Sequence, residues 1–414
     1  MTDIVDQGIY DPEAIECPYP LYQSLRDSPV RYQPGLGFLV SRYEDVLAVL
    51  LDTETYSNSI SEGFAASRWT LNPRPPSVDA IMEEGYPECP ALAHTDATTH
   101  RRHRRLVNPA FTPRRVKQFE TVILSLADEL IDRFIERGTV ELLNEFSAPL
   151  PLTIMADALG VPRKDLPLFR EWSDALGGIR SRYVPEDEFI GRAKKWVAFQ
   201  RYFGAVVDDR AANPRDDFVT DLVTAGSDED EPLNKGELMS LFAQLLEAGN
   251  ETTSSTLNSA ILALAVDEPR QRALRENPSA VTNFVEEILR RDAPALFKPR
   301  VVTKDTRIGS VDIPAGSRVL VMYGSANRDE DVFPAADELD VERRNLRHHV
   351  TFGKGTHHCI GAPLARAELH IGIERLLARI GPFTLAPGFE PAYTGGPAFR
   401  RLQSLDLVFT PCSR

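Results

Sequence analysis

One short stretch constrains this chain more than any other: Phe352-Gly-Lys-Gly-Thr-His-His-Cys359-Ile-Gly361 runs directly into an amphipathic segment at 362–380. Gly353, Gly355 and Gly361 permit left-handed backbone, or close passage beneath a flat body where a Cβ would collide. Phe352 offers an apolar plate beside the cysteine. The segment that follows reads as a helix, with Leu364, Leu369, Ile371, Leu376 and Leu377 mostly on one side and Pro363 suited to its first turn. Cys359 therefore stands just outside a helix N-terminus, where free N–H groups and the positive dipole end favour an ionised sulfur and temper its electron donation. These residues suit a cysteinate metal ligand.

The pattern Phe-Gly-x-Gly-x-His-x-Cys-x-Gly resembles the haem-binding loop of the cytochrome P-450 family and matches it in full. The resemblance implies a mainly α fold with a small β region. It also implies one large domain over residues 1–414 enclosing haem b, with Cys359 as the axial iron ligand and Phe352, Gly353, His357 and Gly361 around it. A thiolate on haem iron favours O–O cleavage over oxygen carriage, so the implied reaction is monooxygenation of a C–H bond. The other cysteines, Cys17, Cys89 and Cys412, read as ordinary small side chains.

Other segments take meaning beside that loop. The helical stretch 235–266 contains Ala248-Gly-Asn-Glu-Thr-Thr253, where Gly249 costs about 1 kcal/mol relative to Ala and two β-branched threonines add to that. A Thr hydroxyl bonding back to an earlier carbonyl opens such a helix locally. The stretch is similar to the family's distal-helix motif, in which Ala248 lies against the haem and Glu251 and Thr252 carry protons. Glu287-Ile-Leu-Arg290 is by itself an ordinary i,i+3 pair. The family closes Glu-x-x-Arg with a further arginine, here Arg343, into a structural ion network. Buried haem propionates need charge-assisted partners. His100 and Arg104, i and i+4 on one helical face, match the family's propionate pair, with Arg300 and His357 as its two other contacts.

His100 and Arg104 belong to a basic island, 100–117, in a chain of net charge −14. Such a run is ordinarily a solvated helix face. With haem beside it, Arg101, Arg102, Arg105, Arg114 and Arg115 become candidate docking residues for an acidic ferredoxin, itself served by an NAD(P)H-dependent ferredoxin reductase. The net charge disfavours nucleic acid as a partner. No apolar run reaches the roughly 18 residues of a membrane span, and the first residues lack a basic, then apolar, leader. Four irregularly spaced cysteines argue against a disulfide framework, so the expected location is cytoplasmic.

Helical periodicity appears at 20–26, 43–51, 113–137, 151–159, 189–213, 235–266, 269–276, 280–291 and 362–380, with strand-like alternation near 30–40, 300–313, 317–322 and 402–409. The acidic stretch 227–231 and the Pro-rich run 72–76 read as surface loops. Trp69, Ile81, Met82, Leu296, Phe297 and Phe399 are candidate pocket walls. Gln244, Ala248 and Thr252 share one helical stripe, with Glu247 and Glu251 beside it. A pocket-facing Glu247 implies an oxygenated or amine-bearing hydrophobic substrate, of terpenoid, steroid or polyketide-like size; a Glu247 paired with an arginine implies nothing of the kind. Two departures from the family stand out: Asp96-Ala-Thr-Thr-His100 for Asp-Pro-Pro-Glu-His, and Arg400-Arg-Leu402 for Arg-Gly-Leu. Rival readings are a haem-thiolate peroxygenase or isomerase, and a zinc hydrolase using His348, His349, His357, His358 and Cys359.

Overall fold

Most of the chain is helical and strands are few and short, as its periodicity predicts. The structure is a computed structural model that describes residues 8–59, 75–176, 185–225, 231–394 and 396–411. Trp69, and part of the segment 179–190 that the family resemblance adds to the pocket lining, lie outside the described residues. The fold comprises two compact units, interleaved along the sequence: Met1–Ser57, Val116–Pro151 and Thr252–Arg414 form one, Asn58–Arg115 and Leu152–Glu251 the other.

The first unit carries the sheets. A five-stranded sheet runs in the order Val30–Gln33, Gly37–Val40, Arg318–Val321, Lys298–Val302, Tyr56–Ser57. Only the pairing of Gly37–Val40 with Arg318–Val321 is parallel. Its faces bury two apolar clusters, one around Val40, Val46, Val302, Val319 and Val321, the other around Leu21, Tyr22, Leu39, Leu320 and Met322. A second, antiparallel sheet joins Thr139–Glu141, Asp406–Pro411 and Ile380–Leu385. Gln271 holds the last of these strands in place. Its Nε2 donates to the Phe383 carbonyl at 2.7 Å and its Oε1 accepts the Phe383 N–H at 3.2 Å.

The helix Ala362–Arg379 ends directly in that strand. Near its far end Arg375 grips Asp128 through two hydrogen bonds of 2.8 and 3.0 Å. At Gly372 an added Cβ would stand only 3.2 Å from Leu150 and 3.3 Å from Leu257. These contacts fix the direction of the helix, and hence the place of the loop at its N-terminus.

In the second unit the helices Leu166–Leu176, Glu186–Ala212 and the first part of Lys235–Ala265 pack through aromatic rings. Trp196 stacks on Phe199 at 5.4 Å, Phe203 lies 4.7 Å from Phe199, and Phe242 follows 5.4 Å beyond. The helix Phe218–Val223 begins at Asp217, whose carboxylate accepts the Thr220 N–H at 2.8 Å, a side-chain N-cap. No helix among the described residues is long and apolar enough to cross a membrane.

Candidate functional site

In the first unit the 352–361 loop is wound tightly. Gly353 and Gly355 both take φ of 66°, a left-handed conformation that disfavours any side chain. The Cys359 N–H donates to the Phe352 carbonyl at 2.8 Å, closing the loop on itself. Gly361 has an ordinary φ; a Cβ there would lie 3.9 Å from the Cys359 sulfur, so its smallness keeps that side of the thiol open. Cys359 is exposed and precedes the N-cap of the Ala362–Arg379 helix by two residues. An exposed cysteine just outside a helix N-terminus suits a metal in a flat ligand.

Arg300 is buried in the Lys298–Val302 strand, with one guanidinium nitrogen donating to the Pro299 carbonyl at 2.8 Å. Its other partner is Tyr323. Burial pushes the Tyr323 phenol up from its ordinary range, against the pull of Arg300. Tyr323 also senses Cys359 electrostatically and escaped notice in the sequence, since nothing local marks it. His357 sits half-buried in the 3-10 turn Gly355–His357. Donors of this kind fit carboxylates that a cofactor would bring.

Behind the loop lies the buried ion network. Glu287 and Arg290 are both fully buried, joined by hydrogen bonds of 2.7 and 2.8 Å, and Arg343 Nε reaches the same carboxylate at 3.2 Å. The two arginines then donate to the carbonyls of Asn327, Pro334, Ala335 and Ala336. Every polar atom of the carboxylate faces a donor, which is what makes a buried ion group tolerable.

Leu296 and Phe297 are buried in the cluster with Tyr22, Leu320 and Met322. The Leu296 N–H donates to the Ala398 carbonyl at 2.8 Å, and Phe399 bridges Ala295, with Lys298 Nζ 4.8 Å from its ring. The departing residue, Arg401, pairs with Thr394 across the hairpin, while its neighbour Arg400, which matches the family's arginine, lies 3.4 Å from the Tyr393 ring. Arg400 thus acts as a cationic plate within the hairpin of Tyr393–Thr394 and Arg401–Leu402.

In the second unit the first part of the basic island lies on the helix Ala97–Val107, while Arg114 and Arg115 stand in the first turn of the helix Pro113–Asp132. His100 is buried and Arg104 half-buried, one turn apart. Arg102 does not join an open patch: it forks onto Glu237 at 2.7 and 3.1 Å. Arg115 likewise pairs with Asp216 and Asp221 at 2.8 and 2.9 Å. Those two residues form ion pairs within the unit; Arg101, Arg105 and Arg114 lie at exposed positions. His103, unremarked in the sequence, accepts the Leu92 N–H at Nδ1 and so donates to Glu237 from Nε2 at 2.9 Å. Burial pushes the Glu237 carboxyl up, but Arg102 and His103 outweigh it and hold the group at about 2.

On the long helix Lys235–Ala265, Gln244 is a clamp. Its Nε2 donates to the Ala91 carbonyl at 2.8 Å and its Oε1 accepts the Ala93 N–H at 3.2 Å, so the amide serves the 91–93 backbone rather than a substrate. Gly249 admits Met155, whose Cε would stand 2.7 Å from an added Cβ. Asn250 donates to Ser173 at 2.9 Å. Between the buried stretches 245–246 and 253–258, Ala248 is exposed and Glu247, Glu251 and Thr252 are half-buried. The hydroxyl that bonds back along the helix is that of Thr256, donating to the Thr252 carbonyl at 2.9 Å. Among the described residues, neither hydrogen bond nor ion pair engages Glu247, so no arginine accounts for it. Met82 ends the helix Pro76–Met82, half-buried.

Among the described residues no three His, Cys, Asp or Glu side chains converge as a metal centre. The zinc reading fails there, and His349 in particular turns to Glu286 instead.

The comparisons with known proteins agree with this geometry. The family model described as Cytochrome P450 matches residues 200–385. Cytochrome P450 107B1 of Saccharopolyspora erythraea is 35% identical over 88% of each chain. A steroid C26-monooxygenase of Mycobacterium tuberculosis is 35% identical over 78% of this chain and 87% of that protein. The solved structure of cytochrome P450 CYP109Q5 from Chondromyces apiculatus, 36% identical, covers 99% of this chain and 100% of its own with a TM-score of 0.87.

Proposed function

Because the chain belongs to the cytochrome P450 family and is a haem-thiolate monooxygenase, we propose that Cys359 supplies the axial thiolate and that the substrate is a small hydrophobic molecule bearing an oxygen or amine donor. The carrying observation is the exposed Cys359 sulfur on a loop closed by its own N–H to Phe352, ahead of a helix N-terminus. Haem, when bound, supplies oxygen activation and C–H oxidation. The chain's own residues bind, orient and move protons. His100, Arg104, Arg300 and His357 offer positive charge or N–H donors to the propionates. Phe352, Gly353 and Gly361 are the loop residues proposed to lie against a flat ring, and Ala248 is its proposed neighbour on the long helix. Glu251 takes a proton at its carboxylate and Thr252 passes one through its hydroxyl, both on a stretch of helix less buried than its flanks. Water exclusion falls to the apolar side chains around them.

The substrate class, terpenoid, steroid or polyketide-like, has the support of a steroid monooxygenase among the relatives and of Glu247, a half-buried carboxylate on the helix of Ala248 and Glu251. An unpaired carboxylate recognises a donor or a cation far better than a hydrocarbon. Met82 and Phe399 are the proposed apolar walls, with Leu296 and Phe297 behind Phe399. Electrons come from a ferredoxin docking on Arg101, Arg105 and Arg114.

The test is the reduced, carbon monoxide-bound difference spectrum of the haem-loaded protein and of Cys359→Ser. A thiolate signature that disappears in the serine variant is expected; its persistence there overturns the assignment. Ferric spin-state titration with a matched hydroxylated, aminated and hydrocarbon series tests the substrate. Glu247→Leu is expected to weaken the first two selectively, and equal binding across the series removes that part. Product formed without any electron donor, from peroxide or by rearrangement, would favour the peroxygenase or isomerase reading.

A further inference from the structure

A second buried charge cluster stands next to Glu287 and is separate from it in its contacts. Glu286 is 3% exposed on the helix Val281–Arg291. Arg366, on the helix that the cysteine loop leads into, forks onto it through Nε to Oε1 at 2.5 Å and a terminal nitrogen to Oε2 at 3.0 Å. His349, also 3% exposed, accepts the Thr351 N–H at Nδ1, so its proton is on Nε2 and is donated to Glu286 at 3.2 Å. Both partners then close on one ring. The Arg366 guanidinium lies 4.5 Å from the Phe352 centroid, and the His349 ring 5.9 Å from it. Phe352 is the residue whose carbonyl accepts the Cys359 N–H.

We propose that Glu286, His349 and Arg366 are positioning residues that hold Phe352 in place, through the Arg366 guanidinium and the His349 ring packed against it, and so set the electron-donating strength of the Cys359 thiolate. The cluster is electrically balanced, one carboxylate against one guanidinium with a neutral imidazole, so it holds the ring without placing net charge behind the sulfur. The Arg366 cation is held over the ring face because Glu286 fixes its far edge; a guanidinium on an aromatic face at a partly exposed site is by itself too weakly held to keep one geometry. Lys354, half-buried, is a further cation that interacts with the cluster, and burial with Arg366 close by pushes its ammonium down. Glu286 is held at about 2: burial raises it, His349 and Arg366 more than reverse this, and it therefore stays ionised throughout the working range. Truncating this carboxylate alters the electrostatics on the sulfur side of the loop and loosens the ring, while the thiol itself is untouched.

The clamp rests on Cys359 being the thiolate ligand. The experiment is the reduction potential of the haem-loaded protein, read together with the position of its carbon monoxide band, for wild type, Glu286→Gln, Glu286→Asp and Arg366→Gln. Glu286→Gln leaves Arg366 and Lys354 uncompensated and is expected to favour the reduced form about tenfold at fixed potential, which is 59 mV for one electron. Glu286→Asp, which keeps the charge, returns most of the way to wild type. Arg366→Gln, at a partly exposed position that tolerates change, shifts the balance in the opposite sense. Shifts of opposite sign are not produced by a role in stability alone. Variants that lose thermal stability but keep the wild-type potential and band would overturn the proposal. Should Glu286→Gln fail to load haem, the Arg366→Gln measurement decides alone. A wild type lacking the thiolate band would instead remove the Cys359 assignment, so the two failures are distinguishable.

Discussion

Glu368 offers the sharpest quantitative test of the fold. It lies on the Ala362–Arg379 helix, 3% exposed, with Thr253 on the long helix as its hydrogen-bond partner. Burial pushes its carboxyl up to about 8, and the bond to Thr253 offsets only part of that. In the folded protein at pH 7 the group therefore keeps a proton that the unfolded chain has released. The folded form binds the extra proton from its ordinary value of 4.5 upward, so stability from this residue is greatest below pH 4.5 and is lost as pH climbs to about 8. At about 1.4 kcal/mol for each pH unit, holding the proton costs the folded state about 3 kcal/mol by pH 7. Glu368→Gln is neutral at every pH and nearly the same shape. It removes the slope, while its extra amide donor, if left unmatched, costs about 1–3 kcal/mol at all pH values alike. Denaturant unfolding of the haem-loaded protein, followed by far-ultraviolet circular dichroism at pH 5, 6, 7 and 8, separates the two effects. The wild type is expected to lose stability relative to Glu368→Gln by about 1 kcal/mol or more per unit across that range. Parallel curves for the two proteins would show that Glu368 is ionised when folded and would refute the reasoning.

Glu287→Gln strips the counter-charge from two buried arginines and is expected to lower stability by about 3–5 kcal/mol, or abolish haem loading, as judged by thermal unfolding. Gln244→Leu leaves the Ala91 carbonyl and Ala93 N–H without their partners and should cost about 1–3 kcal/mol, with faster amide exchange confined to 91–93 and unchanged spin-state titrations. Thr252→Ala is expected to leave haem binding intact while product falls and peroxide release rises; tight coupling in that variant would contradict its proton-transfer role. Charge reversal at Arg101, Arg105 or Arg114 should slow reduction by a ferredoxin more at low salt than at high, whereas Arg102→Glu should reduce stability instead.

Local pattern carried the helices a long way. The segment 43–51 forms a helix over the same residues, Tyr43–Leu51, because two acidic residues occupy its first turn and apolar residues recur on one face. The 280–291 and 362–380 segments deviate from their helices by a single terminal residue, for the same reason. The strands Thr139–Glu141 and Ile380–Leu385 were not visible, since each is short and is defined by pairing with Asp406–Pro411 rather than by alternation of its own. Leu166–Leu176 escaped because its apolar residues join a ring cluster supplied by other helices. At the site, the cysteine loop was legible because its residue types must be contiguous in sequence to wrap one sulfur. The partners of Gln244, Arg102, His103 and Glu286 were not, since each lies dozens of residues away or more in the chain and is chosen by packing.

By itself, then, the order of amino acids determined that a cysteine would stand on a glycine turn ahead of a helix, with a charged island and a Glu-Thr pair elsewhere, because backbone conformation and helical phase are short-range properties. Which of the charged side chains are locked in ion pairs and which stay on the surface was decided only by the tertiary structure. A carboxylate binds whichever cation the folded chain brings within 3 Å or so, and that proximity is a property of the assembled helices and sheets.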